Sequence, residues 1–181
     1  MCKTHVIVSL VRGIDGPNCR KVFGMEYVEL VDQLFLGSRP ETTADIDRLR
    51  LNSGITAVVN LQTDDDMRAV KLVWEPLEAH YRNLGIELCR MPVRDFDPVD
   101  LREKLPECVR ALDHLLAASH SAYLHCTLGA SRSPTVAIAY LCWCRGWDLE
   151  EAGTYVKKHW QCSPNMDTVR QAIRSLSLIH I

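Results

Sequence analysis

The stretch His125-Cys126-Thr127-Leu128-Gly129-Ala130-Ser131-Arg132-Ser133-Pro134 decides how this chain is read. A loop built only to turn needs no arginine, and a core segment would not tolerate one. What lies on either side narrows the choice. Residues 122–125, AYLH, form a short strand pattern. Residues 133–144 are apolar almost all round, the pattern of a buried helix. The loop therefore leaves a strand and opens a helix, where backbone N–H groups converge on an anion.

Working outward, strands alternate with helices. Residues 25–40 read as two short strands with a turn near Val31-Asp32, and Thr42 or Thr43 caps a helix that Gly54 ends. Residues 55–61, ITAVVNL, are β-branched and apolar, as in a strand buried on both faces. Asp64-Asp65-Asp66 then reads as a solvated run or a helix N-terminus, which favours negative charge. A helix over 72–84, a strand over 86–91 and a loop over 94–99 follow. The helix over 101–118 is expected to carry Pro106 near the first turn of its main part. Asp148 caps a further helix, Pro164 separates it from a last one over 166–178, and the final residues are expected to fray. The alternation predicts an α/β fold, a mostly parallel central sheet flanked by helices. One domain over 24–181 is expected, with residues 1–23 as an N-terminal extension.

Composition limits the partners. The 181 residues carry a formal net charge of −2, with 47% hydrophobic and 24% charged residues, which argues against a general nucleic-acid or membrane-surface binder. No apolar run reaches the roughly 18 residues that span a bilayer. The first residues show neither a clear secretory signal nor a transit peptide. Eight cysteines are scattered without a CxxC pair, so no metal site is expected and reduced intracellular thiols are.

One of those thiols is placed for chemistry. Cys126 leads the loop at the mouth of the helix N-terminus, a setting that favours the nucleophilic thiolate. Gly129 lets the backbone curl, and the N–H groups of Thr127, Leu128, Gly129, Ala130 and Ser131 are the candidate cradle. The planar fork of Arg132 matches two phosphate oxygens at once. Thiolate, cradle and fork together specify attack on phosphorus. Ser133 is placed to donate to the sulfur as it leaves, Pro134 fits a first helical turn, and His125 could orient Cys126 or simply end its strand. A leaving alkoxide also needs a proton. Asp95 and Asp97 in RDFDP are the candidate acids, with capping of the next helix as the competing role. Asp97 suits capping well and Asp100 better.

HCTLGASRS resembles the signature of cysteine-dependent protein tyrosine and dual-specificity phosphatases. GMEYVELVDQLFLGSRP, ADIDRLR, NLQTDDD, RDFDPVDLREKLP and residues 162–172 look like the plant starch-excess and like-starch-excess glucan phosphatases. The resemblance covers about residues 24–175. It implies a compact cysteine-dependent phosphatase fold, no metal or other cofactor, and a cysteinyl-phosphate intermediate. It places the nucleophile on Cys126, the phosphate-binding arginine on Arg132, the acid on Asp95 and a glucan-binding aromatic on Phe96. It also suggests a plastid, where the residues alone suggest only an intracellular protein.

Three readings of function stand. Phosphorylated glucan follows from the wider resemblance. Phosphoprotein is the alternative, since Leu128, Ser131 and Ser133 are closer to protein-directed relatives, and Ala69-Val70 stand where the plant enzymes have Tyr-Trp. A phosphate-binding module without turnover is the third, opposed by intact Cys126, Arg132 and Asp95. A monomer is expected, and Cys89 is a candidate oxidation partner for the nucleophile.

Overall fold

The computed structural model describes residues 19–22 and 25–179, with side chains described over 25–174. A sheet of six strands runs through it in the order β1-β2-β3-β6-β4-β5. The strands are β1 (Cys19–Val22), β2 (Met25–Val31), β3 (Leu34–Gly37), β4 (Ala57–Asn60), β5 (Glu87–Arg90) and β6 (Ala122–His125). β3, β6, β4 and β5 are parallel, while β1 and β2 add antiparallel to one side. The mostly parallel sheet expected from the alternation is present, with an antiparallel flank. β1 lies inside the stretch read as an extension; residues 1–18 fall outside the described residues.

Period-two alternation sends side chains to two cores. Ala57, Val59, Leu124 and Cys126 face the larger one, built with α4 (Pro98–Ala117), α5 (Arg132–Arg145), α6 (Leu149–His159) and α7 (Met166–Ile179). Val58 and Tyr123 face the smaller one, which Ile46 and Leu49 of α1 (Thr43–Ser53) and Leu77 and Tyr81 of α3 (Trp74–Asn83) complete. A six-residue helix, α2 (Asp64–Ala69), follows β4. No helix among the described residues is long and apolar enough to cross a membrane.

Two boundaries correct the sequence reading. α4 begins at Pro98, and Asp97 is its cap, accepting from Val99 N and Asp100 N. Asp100 instead lies in the first turn and accepts from Arg94 N at 2.7 Å. Pro106 therefore falls well inside a 20-residue helix rather than near a start. The last helix continues through Ile179, so the segment expected to fray is helical to that point.

β6 sits between β3 and β4, although it is the last strand in sequence. The chain must return to the middle of the sheet to form it. Loops leaving the carboxyl ends of β3, β4, β5 and β6 consequently meet at one edge, the place where open parallel sheets bind ligands.

Candidate active site

The loop from Cys126 to Ser131 leaves β6 and enters α5 at that edge. Ser131 caps α5 without a side-chain hydrogen bond, whereas α1, α2, α4 and α6 each have a Thr or Asp cap. The first N–H groups of α5 therefore receive no side-chain cap.

Five of the six loop carbonyls are each held by their own donors. His125 Nδ1 donates to Cys126 O at 3.0 Å. Arg39 N and Arg39 Nη1 donate to Thr127 O at 3.1 and 3.2 Å. Trp160 Nε1 donates to Gly129 O at 2.7 Å, and Ser163 N to Ala130 O at 2.7 Å. Thr135 N and Oγ1 take Ser131 O at 3.0 and 2.8 Å. In a trans peptide the N–H that follows each carbonyl points the opposite way. Clamping these carbonyls thus turns the amides that follow them away from the donors. Gly129 permits the curl, with φ 71° and a missing Cβ that would lie 2.6 Å from Gly37 O.

Cys126 and Arg132 are each 3% exposed. Ser133 Oγ donates to Cys126 Sγ at 3.3 Å, so the hydroxyl meets the sulfur. Arg132 Nη1 donates to Asp66 Oδ2 at 2.6 Å and to Val93 O at 2.7 Å. Its Nη2 donates to Asp66 Oδ1 at 3.3 Å and Thr127 Oγ1 at 3.2 Å, and lies 3.1 Å from Asp95 Oδ2. The Cys126 sulfur, the Arg132 guanidinium and the candidate acid Asp95 therefore share one site.

Asp66 was not singled out by the sequence. It is the third residue of α2 and closes a capping box with Thr63, whose N–H and hydroxyl it accepts at 2.8 and 2.9 Å. Burial raises its pKa, but hydrogen bonds from Arg132 and Thr63 outweigh that and hold the carboxyl below its ordinary range. Its neighbours differ, since Asp64 pairs with Arg90 and Asp65 with Arg68. The spacing Thr63-x-x-Asp66 just after a buried strand was the signal available.

The other sequence candidates separate. Asp95 Oδ1 accepts its neighbour Phe96 N at 3.1 Å while Oδ2 faces Arg132. Asp97 turns to its helix and to Arg94 Nη2 at 3.0 Å. Phe96 has φ 55° and is 98% exposed, so its ring is not packed on the core. His125 is buried against Tyr123, with ring centroids 5.5 Å apart, and touches Cys126 through the carbonyl. Burial pushes its pKa down to about 4, against the hydrogen bond to Cys126 O, so the ring is neutral near pH 7. Cys89 is half-buried, and burial with nearby Glu87 and Glu107 raises its pKa. Among the described residues no group of three or more His, Cys, Asp or Glu could hold a metal ion.

Above the loop lies a cleft of about 530 Å³, lined by Asp66, Asp95, Phe96, Thr127, Leu128 and Val70 among others. Leu128, 67% exposed, and Phe96 form an apolar rim around a charged floor.

Comparison with known proteins places this geometry. The family model described as "Dual specificity phosphatase, catalytic domain" matches residues 34–175. "Phosphoglucan phosphatase LSF1, chloroplastic" of Arabidopsis thaliana is 31% identical over 149 residues, covering 82% of this chain and 25% of that protein. "Phosphoglucan phosphatase DSP4, amyloplastic" of Castanea sativa is 30% identical over 155 residues, 84% of this chain and 41% of its own length. "Dual specificity protein phosphatase 1" of Mus musculus is 29% identical over 150 residues, 81% and 36% respectively. The chain thus spans between a quarter and about two fifths of these curated relatives. Among solved structures, PTPMT1 superposes with a TM-score of 0.71 at 22% identity, covering 85% of this chain and 98% of that one. Human DUSP28 gives 0.65 at 26% identity, covering 83% and 95%.

Proposed function

The chain belongs to the dual-specificity phosphatase catalytic-domain family, and from that premise we propose that it hydrolyses phosphate monoesters of a phosphorylated glucan. Cys126 Sγ attacks phosphorus, forming an S–P bond as the bond to the leaving oxygen breaks. The loop amides and Arg132 meet the charge on the equatorial oxygens. Asp95, in its protonated form, gives its proton to the leaving oxygen. Water then attacks the cysteinyl phosphate, with the Asp95 carboxylate taking a proton from it. Inorganic phosphate leaves, and the Ser133 hydroxyl donates to the departing thiolate.

The observation that carries the glucan assignment is the ring of Phe96. It is nearly fully exposed at the rim of the cleft, one residue after Asp95, in a left-handed backbone conformation that bulky residues rarely adopt. An open aromatic face beside the acid suits a sugar ring. Two relatives named as phosphoglucan phosphatases support it. The phosphoprotein alternative draws on a different observation. Ala69, Val70 and Leu128 make the rest of the rim aliphatic, and a protein phosphatase also matches.

Phosphate release from solubilised amylopectin, set against release from phosphotyrosyl and phosphoseryl peptides, tests the choice. Faster release from amylopectin is expected. Strong peptide turnover with none from glucan would overturn the assignment. Cys126→Ser should abolish both, and residual turnover would sink the covalent mechanism.

A further inference from the structure

Among the described residues, the chemistry above leaves the largely buried Arg39 without a role. Arg39 stands just beyond β3, its side chain 14% exposed, and does not line the catalytic cleft. We propose that Arg39 is a positioning residue for the phosphate-binding loop, acting through the Thr127 carbonyl. The proposal rests on the phosphatase reading but not on which substrate is used.

Both the backbone N–H and Nη1 of Arg39 end on Thr127 O, at 3.1 and 3.2 Å. The other side of Thr127 is held as well. Its Oγ1 accepts from Gln62 Nε2 at 3.3 Å and from Arg132 Nη2 at 3.2 Å. Residues following β3 and β4, and the first residue of α5, therefore fix this one loop residue. With its carbonyl drawn toward Arg39, the Leu128 N–H of the same peptide points the other way, toward the cleft that Thr127 and Leu128 line.

Charge adds to geometry. A guanidinium on the carbonyl end polarises the peptide and strengthens its N–H as a donor. Arg39 Nη2 is in turn held by Glu41 Oε1 at 2.5 Å, which sets the fork in place. Arg39 also lines a neighbouring cavity of about 470 Å³ that shares Val70 with the catalytic cleft. Small solutes can thus approach Arg39 from that cavity.

Arg39→Met and Arg39→Lys, assayed on p-nitrophenyl phosphate with inorganic phosphate as competitive inhibitor, test the proposal. Arg39→Met should raise the phosphate inhibition constant about tenfold, the scale of a charged hydrogen bond. Lysine, lacking the fork, should recover only part. Millimolar guanidinium should partly restore Arg39→Met, which a purely structural loss would not allow. A phosphate inhibition constant within twofold of wild type in both variants would overturn the proposal. So would a loss that guanidinium leaves untouched while the unfolding midpoint falls in parallel. If Arg39→Met does not fold, Arg39→Lys decides on the same criterion. Calorimetric phosphate binding reads Arg39 independently of turnover, so an inactive wild type would sink the phosphatase reading and still leave Arg39 tested.

Discussion

Asp66 grips Arg132 with both carboxylate oxygens, at 2.6 and 3.3 Å, from a helix that follows a different strand. Both side chains are largely withdrawn from water. Removing the carboxylate leaves a buried guanidinium short of its anion, a change worth about 3–5 kcal/mol for buried pairs. Asp66→Ala should therefore lose at least about tenfold in kcat/KM on an aryl phosphate and also unfold at lower denaturant. Equal kcat/KM in the variant would show that Val93 O, Thr127 and Asp95 suffice to hold Arg132.

Asp95 and Asp97 are two residues apart and differ in what they touch. Only Asp95 reaches Arg132, while Asp97 caps α4. With a poor leaving group, Asp95→Ala should lower kcat by about 10²–10⁴, the range for a positioned general acid. Asp97→Ala should instead cost about 1 kcal/mol of stability as a lost cap, with a smaller rate effect. A larger rate loss at Asp97 would reverse the assignment.

Gly129 cannot take a side chain. Its φ is 71°, and an added Cβ would press on Gly37 O at 2.6 Å and Trp160 Cζ2 at 3.1 Å. The left-handed conformation alone costs a non-glycine residue about 1–2 kcal/mol. Gly129→Ala should displace the loop and lower phosphate affinity more than it lowers the unfolding midpoint. Unchanged affinity would mean that the loop tolerates the shift.

His125 makes stability fall in acid. Its pKa is about 4 when folded, from the burial of its ring, and near 6.5 when exposed. Between those values the unfolded chain binds the extra proton. Stability is thus full above about pH 6.5 and declines toward pH 4, by up to about 3 kcal/mol. Urea unfolding from pH 7 to 4 should show this slope, and His125→Gln should flatten it. An equal slope in the variant would assign the acid sensitivity to other groups.

On the proposed mechanism, Ser133 acts on the second half of the reaction. Its hydroxyl is the donor at Cys126 Sγ, 3.3 Å away. Ser133→Ala should slow hydrolysis of the cysteinyl phosphate more than its formation. With a good leaving group, a burst of product followed by a slower steady state is the expected trace. Slowing of both phases in equal proportion would count against a leaving-group role.

Local features were legible and remote ones were not. The strand-loop-helix around Cys126 and Arg132 spans ten residues, so its periodicity and its glycine stand next to each other in sequence. Asp66 is the counter-example. Three consecutive aspartates are chemically equal on paper, and only helix geometry turns the third toward Arg132. The Asp97 cap is a readable motif for which Asp100 competes in sequence, and in the structure Asp100 instead accepts from the backbone N–H of Arg94. Pro106 misled because an interior proline normally ends a helix, whereas α4 carries it within a long packed element. β1 was missed because pairing with β2 is a tertiary fact that four residues cannot announce.

The clamped carbonyls of the loop have a consequence for transplanting it. Their donors come from Arg39, His125, Thr135, Trp160 and Ser163, spread over most of the domain. The ten-letter signature is therefore not a portable module. Grafted onto another strand-to-helix turn, it would bring the sulfur and the arginine but leave its peptides free to rotate, and the recipient would inherit two side chains without the frame that orients them.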